Sequence, residues 1–100
     1  LDENHPSLAS NYNNISMIYK DLGDLEKALE YSKKSLEIMQ KVLDENHPSL
    51  ATNYINISII YQTLGDLEKA LEYSKKSLEI MQKVLDENHP SLATNYINIS

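Results

Sequence analysis

The chain has 100 residues, of which 41% are hydrophobic and 24% charged, so it can form one globular domain with a modest core. A net charge of −6 argues against nucleic acid as a partner, because phosphate-binding surfaces are usually basic. The lack of cysteine excludes disulfides, and no apolar run reaches the roughly 18 residues of a membrane span. We expect a soluble, cytoplasmic protein, although the chain starts and stops inside a repeat, which leaves room for a targeting segment outside it.

The sequence repeats with a period of 42 residues. Residues 1–58 overlay residues 43–100 with 53 identical positions and five differences. A fixed period of about 20–50 residues is typical of solenoids, in which each unit buries its apolar face on the next. We predict a single solenoid domain with repeat 1 at 1–42, repeat 2 at 43–84 and a partial repeat 3 at 85–100.

The first predicted helix of each repeat, helix A, follows a histidine-proline pair. In the second copy, apolar and small residues recur every three or four positions from Leu50 to Leu64, which favours a helix with one buried face. Pro48 suits the first turn of this helix, and Gly65 suits its end, where a positive φ is wanted. We predict helix A over about 48–64.

The second predicted helix, helix B, begins directly after the glycine. Asp66 is the predicted N-cap, and helical spacing continues from Leu67 to Leu85. Only Gly65 and Asp66 separate the helices, so they must fold back as an antiparallel hairpin. The polar residues 86–89 are the predicted linker to a third helix A, and no alternating run predicts a strand.

The stretch "YQTLGDLEKALEY", which begins at Tyr61, resembles the tetratricopeptide repeat. Tyr61, Gly65 and Ala70 take the places of that family's tyrosine, turn glycine and packing alanine, and Ser58 and Ser77 stand at its small close-approach positions. The period is longer than the usual ~34 residues, but it is similar to that of the kinesin light chain and its relatives. The resemblance implies an all-α, right-handed α-solenoid of antiparallel helix hairpins, with about two full repeats plus a third helix A.

All differences between the copies fall on helix A. At about 100° per residue they point into one arc of about 100°, away from the packing face that carries Leu50, Tyr54 and Tyr61. In the resembled family this arc lines the concave groove in which extended peptides lie. The changes are Ser10 to Thr52, Asn13 to Ile55, Met17 to Ile59, Lys20 to Gln62 and Asp21 to Thr63.

The five variable positions form one stripe along helix A, and this stripe has two interpretations. Exposed positions could drift freely while buried ones cannot, or the stripe could be adapted to a ligand. The exposed face of helix B, with Glu68 and Lys69 among its residues, is identical in both copies, and drift should have changed it too. That comparison favours the functional interpretation, whereas Thr94 and Ile97 of the third copy simply repeat Thr52 and Ile55.

A constant stripe of Asn14, Asn56 and Asn98 stands beside the variable one. Because an amide both donates and accepts hydrogen bonds, a ladder of amides can pair with the main chain of an extended peptide of any sequence. In kinesin light chain the matching asparagines are implicated in holding cargo peptides, and the resemblance implies the same role here. Structural hydrogen bonds within or between helices are an equally open alternative.

We predict a scaffold that binds an extended peptide or a partner helix in the groove of its A helices. The alternative is a structural array or spacer, and head-to-tail self-association is predicted because both ends repeat interior surfaces. The predicted groove residues are Ser10, Asn13, Asn14, Met17, Lys20, Asp21, Thr52, Ile55, Asn56, Ile59, Gln62, Thr63, Thr94, Ile97 and Asn98.

No catalytic, metal or cofactor site is predicted. His5, His47 and His89 recur once per repeat, so they lie along an edge and do not converge on one centre as metal ligands must. The acidic pairs of the linkers are solvent-facing and do not form an acid/base dyad. A structural role at the linker is therefore the favoured interpretation of the histidines.

Overall fold

The computed structural model describes residues 5–88, and this part of the chain contains four α-helices and no strand. They are α1 (Pro6–Leu22), α2 (Leu25–Val42), α3 (Pro48–Leu64) and α4 (Leu67–Asn88). Helices α1 and α3 are the predicted A helices, and α2 and α4 are the B helices, which confirms the all-α hairpin prediction. None of these four helices is long and apolar enough to cross a membrane. The predicted third helix A, with Thr94, Ile97 and Asn98, lies outside the described residues.

The ends of the A helices are capped as the sequence predicted. Pro48 lies in the first turn of α3, where its missing amide hydrogen costs nothing. Gly65 ends α3 in the left-handed region at φ 89°, and the amide of Asp66 donates to the carbonyl of Tyr61 at 2.9 Å. The carboxylate of Asp66 then accepts from the amide of Lys69 at 3.2 Å, so Asp66 caps α4.

The two helices of each hairpin approach closely at small residues. Ser58 on α3, which the family resemblance placed at a close approach, is buried, and its hydroxyl donates to the carbonyl of Ala70 on α4 at 2.7 Å. Beside it, the ring of Tyr73 lies between those of Tyr54 and Tyr61, with centroid distances of 6.0 and 5.6 Å. Equivalent residues make the same contacts in the first hairpin, so each hairpin is a repeated packing unit.

The core is completed where the second hairpin packs on the first. Ile57 of α3 is buried in a cluster with Leu36 of α2, and its neighbour Ile60 is also fully buried. Ile18, the equivalent of Ile60 in α1, is 59% exposed against 0% for Ile60. The two isoleucines differ because α3 stacks on α2, whereas no described helix covers this face of α1.

Helix α4 is longer than predicted. It continues to Asn88, so the prediction of a linker over residues 86–89 is wrong for its first three positions. The identical sequence in the first repeat ends α2 at Val42, and the amide of His47 donates to the carbonyl of Asp44 in the turn that follows. The local sequence is the same in both repeats, so it does not by itself determine where helix B ends. In the first repeat, the turn into α3 sets the end of α2.

Helix α4 also leaves leucines in solvent that helical spacing assigned to its inner face. Leu67, Leu71 and Leu78 are all exposed. Leu78 is 56% exposed, whereas its equivalent Leu36 on α2 is 7% exposed. Helix α3 covers Leu36, and no described helix covers the corresponding face of α4.

Candidate functional site

The predicted groove residues on α1 and α3, which are the positions that differ between the repeats together with Asn14 and Asn56, define a surface that we call the helix A face. Ile55 and Ile59, one turn apart on α3, are 39% and 38% exposed. Single exposed apolar residues are ordinary, but two neighbours on one side of a helix form an apolar patch. The other described members are the half-buried Asn13, Met17, Lys20 and Asn56 and the exposed Ser10, Asn14, Asp21, Thr52, Gln62 and Thr63.

The predicted asparagine ladder has an unexpected pairing. The Nδ2 atom of Asn56 donates to Oδ1 of Asn13 at 3.2 Å and so joins α3 to α1, whereas Asn14 points to solvent and pairs with neither. Hydrogen bonds of this kind, between helices, are what the structural interpretation of the asparagines predicts. Among the described residues, however, Nδ2 of Asn13 and Oδ1 of Asn56 make no hydrogen bond, so the pair retains free donors and a free acceptor. A peptide main chain offers the complementary acceptor and donor.

A hollow lies between α1 and α3 on the helix A face, and we call it the α1–α3 hollow. Its volume is about 200 Å³. Met39 of α2 contributes to its lining, and no lining side chain is charged. The lining residues are Ser10, Asn13, Asn14, Met39, Ser49, Thr52 and Asn53. The face therefore combines an apolar patch at Ile55 and Ile59 with a polar, uncharged hollow.

Three residues of the hollow were not predicted from the sequence, namely Met39, Ser49 and Asn53. Of these, Asn53 carries a signal in the sequence. It precedes Tyr54 and lies on the side of the helical wheel that carries Ile57 and Ile60, so it is a polar side chain on an apolar face. Met39 belongs to another helix, and only the packing of the hairpins brings it to the hollow.

The outer face of helix B, which is unchanged between the repeats, makes contacts within the protein. The Nζ atom of Lys76 lies 5.1 Å from the ring centre of Tyr73 and 5.7 Å from that of Tyr54. Lys33 of α2 reaches the next hairpin, where a hydrogen bond with Tyr61 raises the pKa of Lys33. These contacts give the lysines a structural reason to stay constant. The constancy of helix B is therefore a weaker argument for function on helix A than the sequence comparison suggested.

The two described histidines cap helices. Nδ1 of His47 accepts from the amide of Ser49 at 3.1 Å, and Nδ1 of His5 accepts from that of Ser7 at 3.0 Å. A side-chain acceptor at the N-cap satisfies one of the amides that the first helical turn leaves free. Within residues 5–88, no three His, Cys, Asp or Glu side chains are grouped so that they could hold a metal ion. The contacts support a structural role for His5 and His47, and His89 lies outside the described residues.

The cap makes a prediction for His47. Replacing it with alanine should lower the free energy of unfolding by about 0.5–2 kcal/mol, because the amide of Ser49 loses its acceptor, while His47→Asn should retain most of the stability. Urea denaturation followed by circular dichroism would measure both variants. We also expect a chelator to leave the wild-type melt unchanged, and a loss of stability with chelator that zinc restores would contradict the capping role.

Comparison with known families agrees with this geometry. The profile of the family described as tetratricopeptide repeat matches residues 7–83 and 58–100, which together cover most of the chain. This chain belongs to the tetratricopeptide repeat family. A search of curated proteins finds no match to it.

Among solved structures, this tetratricopeptide repeat chain is similar to a chain from Podosopora anserina that is described as a kinesin light chain. The TPR-like repeats of that chain are nearly identical to one another. The two are 27% identical, with a TM-score of 0.78, and the match covers 91% of this chain and 43% of that one. The repeats are therefore of the kinesin-light-chain type, as their period indicated. The chain spans less than half the length of the matched structure, so the activity of a whole protein does not follow from the match.

Proposed function

We propose that this tetratricopeptide repeat chain is a non-catalytic scaffold that binds an extended peptide or a partner helix on its helix A face. The observation that carries the proposal is the exposure of Ile55 and Ile59 beside the amides of Asn13 and Asn56. The isoleucines can lose solvent contact on binding, which supplies affinity, and the amides can pair with a main chain. Tetratricopeptide repeats generally mediate interactions between proteins, which agrees with this reading of the face.

The charge of the helix A face restricts the partner. Its only charged members are Lys20 and Asp21, which have opposite signs. A face without a cluster of Lys and Arg cannot form the paired, charge-assisted hydrogen bonds that hold a terminal carboxylate or a phosphate. The partner should therefore be recognised by apolar contact and main-chain hydrogen bonds. That nucleic acid does not bind, and that the protein is cytoplasmic, remain predictions.

Selection of random-sequence peptides displayed on phage, with the 100-residue chain as bait, tests the proposal. A selected peptide should shift backbone amide NMR signals of α1 and α3 around Asn13, Asn56 and Ile59. Signals from the outer face of helix B should stay in place and serve as the internal control. A library that yields no peptide, or shifts confined to helix B, would count against a peptide-binding helix A face.

A second candidate function, assembly of copies into an array, is favoured by a different observation. Ile18 on α1 and Leu78 on α4 are exposed, yet their repeat equivalents, Ile60 on α3 and Leu36 on α2, are buried, and α3 and α2 pack on each other. The exposed face of α1 thus presents nearly the same residues to solvent as the face that α3 packs on α2. A contact between α4 of one copy and α1 of another would be heterologous and need not close, which produces open strings.

We expect the association between copies to be weak and to depend on concentration. In sedimentation velocity the mean mass should rise as the protein approaches millimolar concentration. Combining Ile18→Asp with Leu78→Asp should keep the protein monomeric, since each substitution places a charge in the contact. A wild-type chain that stays strictly monomeric at millimolar concentration would rule out the array.

A further inference from the structure

One buried polar atom beside the α1–α3 hollow has no hydrogen-bond partner among the described residues. Asn53 is 3% exposed, and its Nδ2 atom reaches neither solvent nor a hydrogen-bond acceptor among the described residues. Asn11, which occupies the same repeat position on α1, is exposed. The burial of Asn53 therefore comes from the packing of α3 against the first hairpin and not from its own helix.

A buried amide donor without a partner lowers the stability of a folded protein. The buried donor has given up its hydrogen bonds to water and has gained none in exchange. Nearly all buried polar groups in native proteins are paired, so each exception needs an explanation. Leucine has a similar size and would fill the same space without a polar atom to satisfy. Local violations of this kind are expected at functional sites.

The position of Asn53 connects it to the helix A face. The hollow beside it has a volume of about 200 Å³. Most of its lining belongs to that face, namely Ser10, Asn13, Asn14 and Thr52. A peptide that pairs with Asn13 and Asn56 would therefore pass the mouth of the hollow. Asn53 itself lines the hollow, so a group that enters comes next to its side chain.

The lining determines the chemistry of that group. Because it holds no charged side chain, a carboxylate would lose its hydration without gaining a counterion. An aliphatic or aromatic group would fill the space and leave Nδ2 of Asn53 unpaired. A neutral carbonyl oxygen accepts from Nδ2, and the N–H of the same amide can donate to the hydroxyl and amide oxygens around it.

We propose that the α1–α3 hollow receives an amide group of the bound peptide, whose carbonyl oxygen accepts a hydrogen bond from Nδ2 of Asn53. This inference rests on the proposed peptide-binding function. The amide can belong to the peptide main chain or to an Asn or Gln side chain, since both present the same acceptor and donor. Asn53 then stabilises the complex at the expense of the free protein.

The free protein offers the first test. Asn53→Leu should raise the melting temperature by roughly 4–8 °C, because the unpaired donor is replaced by an apolar side chain of similar size. Asn11→Leu is the matched control and should change the melting temperature little, since Asn11 is already hydrated. A lower melting temperature for Asn53→Leu would show that Asn53 has a structural partner in solution, and the inference would then be wrong.

Binding offers the second test, with peptides selected on the wild-type chain from the random phage library as probes. Asn53→Leu should weaken them about 3- to 10-fold, the value of one hydrogen bond, and Asn11→Leu should not. If the amide belongs to a side chain of the peptide, replacing one Asn or Gln of the peptide with alanine should lower its affinity for the wild-type protein by the same factor. The same replacement should not lower its affinity for the Asn53→Leu protein any further. If the amide belongs to the peptide main chain, replacing that one amide with an ester should weaken binding to the wild type by this factor and leave binding to Asn53→Leu unchanged.

The outcomes separate this inference from the function on which it rests. Peptides that bind the helix A face with the same affinity to wild type and Asn53→Leu would overturn the amide site and leave the peptide-binding function intact. A library that yields no peptide would overturn that function and the amide site with it. Weaker binding together with higher thermal stability in Asn53→Leu would support both.

Discussion

Ile60→Asp is expected to unfold the second hairpin or the whole chain at room temperature. Ile60 of α3 is fully buried. Removing its aliphatic side chain alone should cost about 2–5 kcal/mol, and the carboxylate adds the cost of burial without a counterion. Typical domains are stable by only about 5–15 kcal/mol, so the loss would be decisive. Circular dichroism at low temperature and a urea melt would measure it.

Ile18→Asp is the matched control, since it makes the same chemical change at the same repeat position. Because Ile18 is mostly exposed, the substitution should shift the free energy of unfolding by about 0.5 kcal/mol or less. Comparable losses from both variants would mean that the exposed face of α1 is covered in solution. Repeating the melts at several protein concentrations would show whether a second copy covers it.

The double substitution of Ile55 and Ile59 by aspartate is expected to abolish peptide binding without unfolding the protein. Both side chains are more than one third exposed, so helicity should be retained and stability should change by about 0.5 kcal/mol per site at most. Apolar anchors at the centre of an interface often contribute 2 kcal/mol or more each, and two of them would weaken binding by roughly a thousandfold. Titration with peptides selected from the random library would measure the loss.

The control for this double variant replaces Leu67 and Leu71 with aspartate. These leucines on α4 are also exposed and have the same spacing, so the same charges are introduced at a site away from the helix A face. Peptide affinity should stay within about twofold of the wild type, a change of less than ~0.5 kcal/mol. A collapse of the melting temperature in the Ile55 and Ile59 variant would show that these side chains belong to the core, and the assignment of the helix A face would then be wrong.

Local sequence signals determined the helices and the turns between them. Pro48 and Gly65 marked the ends of α3, and Asp66 marked the start of α4, because capping and left-handed glycine conformations depend only on neighbouring backbone groups. The helical repeat of 3.6 residues likewise placed Ile55 and Ile59 on one side of α3 before any neighbour was known.

The pairing of the amides depended on tertiary structure. The sequence aligned Asn14 with Asn56 as repeat equivalents, but Asn56 bonds to Asn13 because the placement of α3 beside α1 brings those two side chains together. The contribution of Met39 to the hollow has the same origin. Distances between helices are set by the packing of hairpins, which the repeat pattern does not encode position by position.

Burial is the property that the sequence by itself left undecided in this protein. Asn11 and Asn53 lie in nearly identical helices, as do Ile18 and Ile60, yet only the second member of each pair is buried. In a solenoid each unit contacts only its neighbours, so the same residue is core or surface according to whether another unit lies against it. The 42-residue period therefore determined the fold of each unit. The stacking of one unit on the next decided which face became core and removed the amide of Asn53 from water.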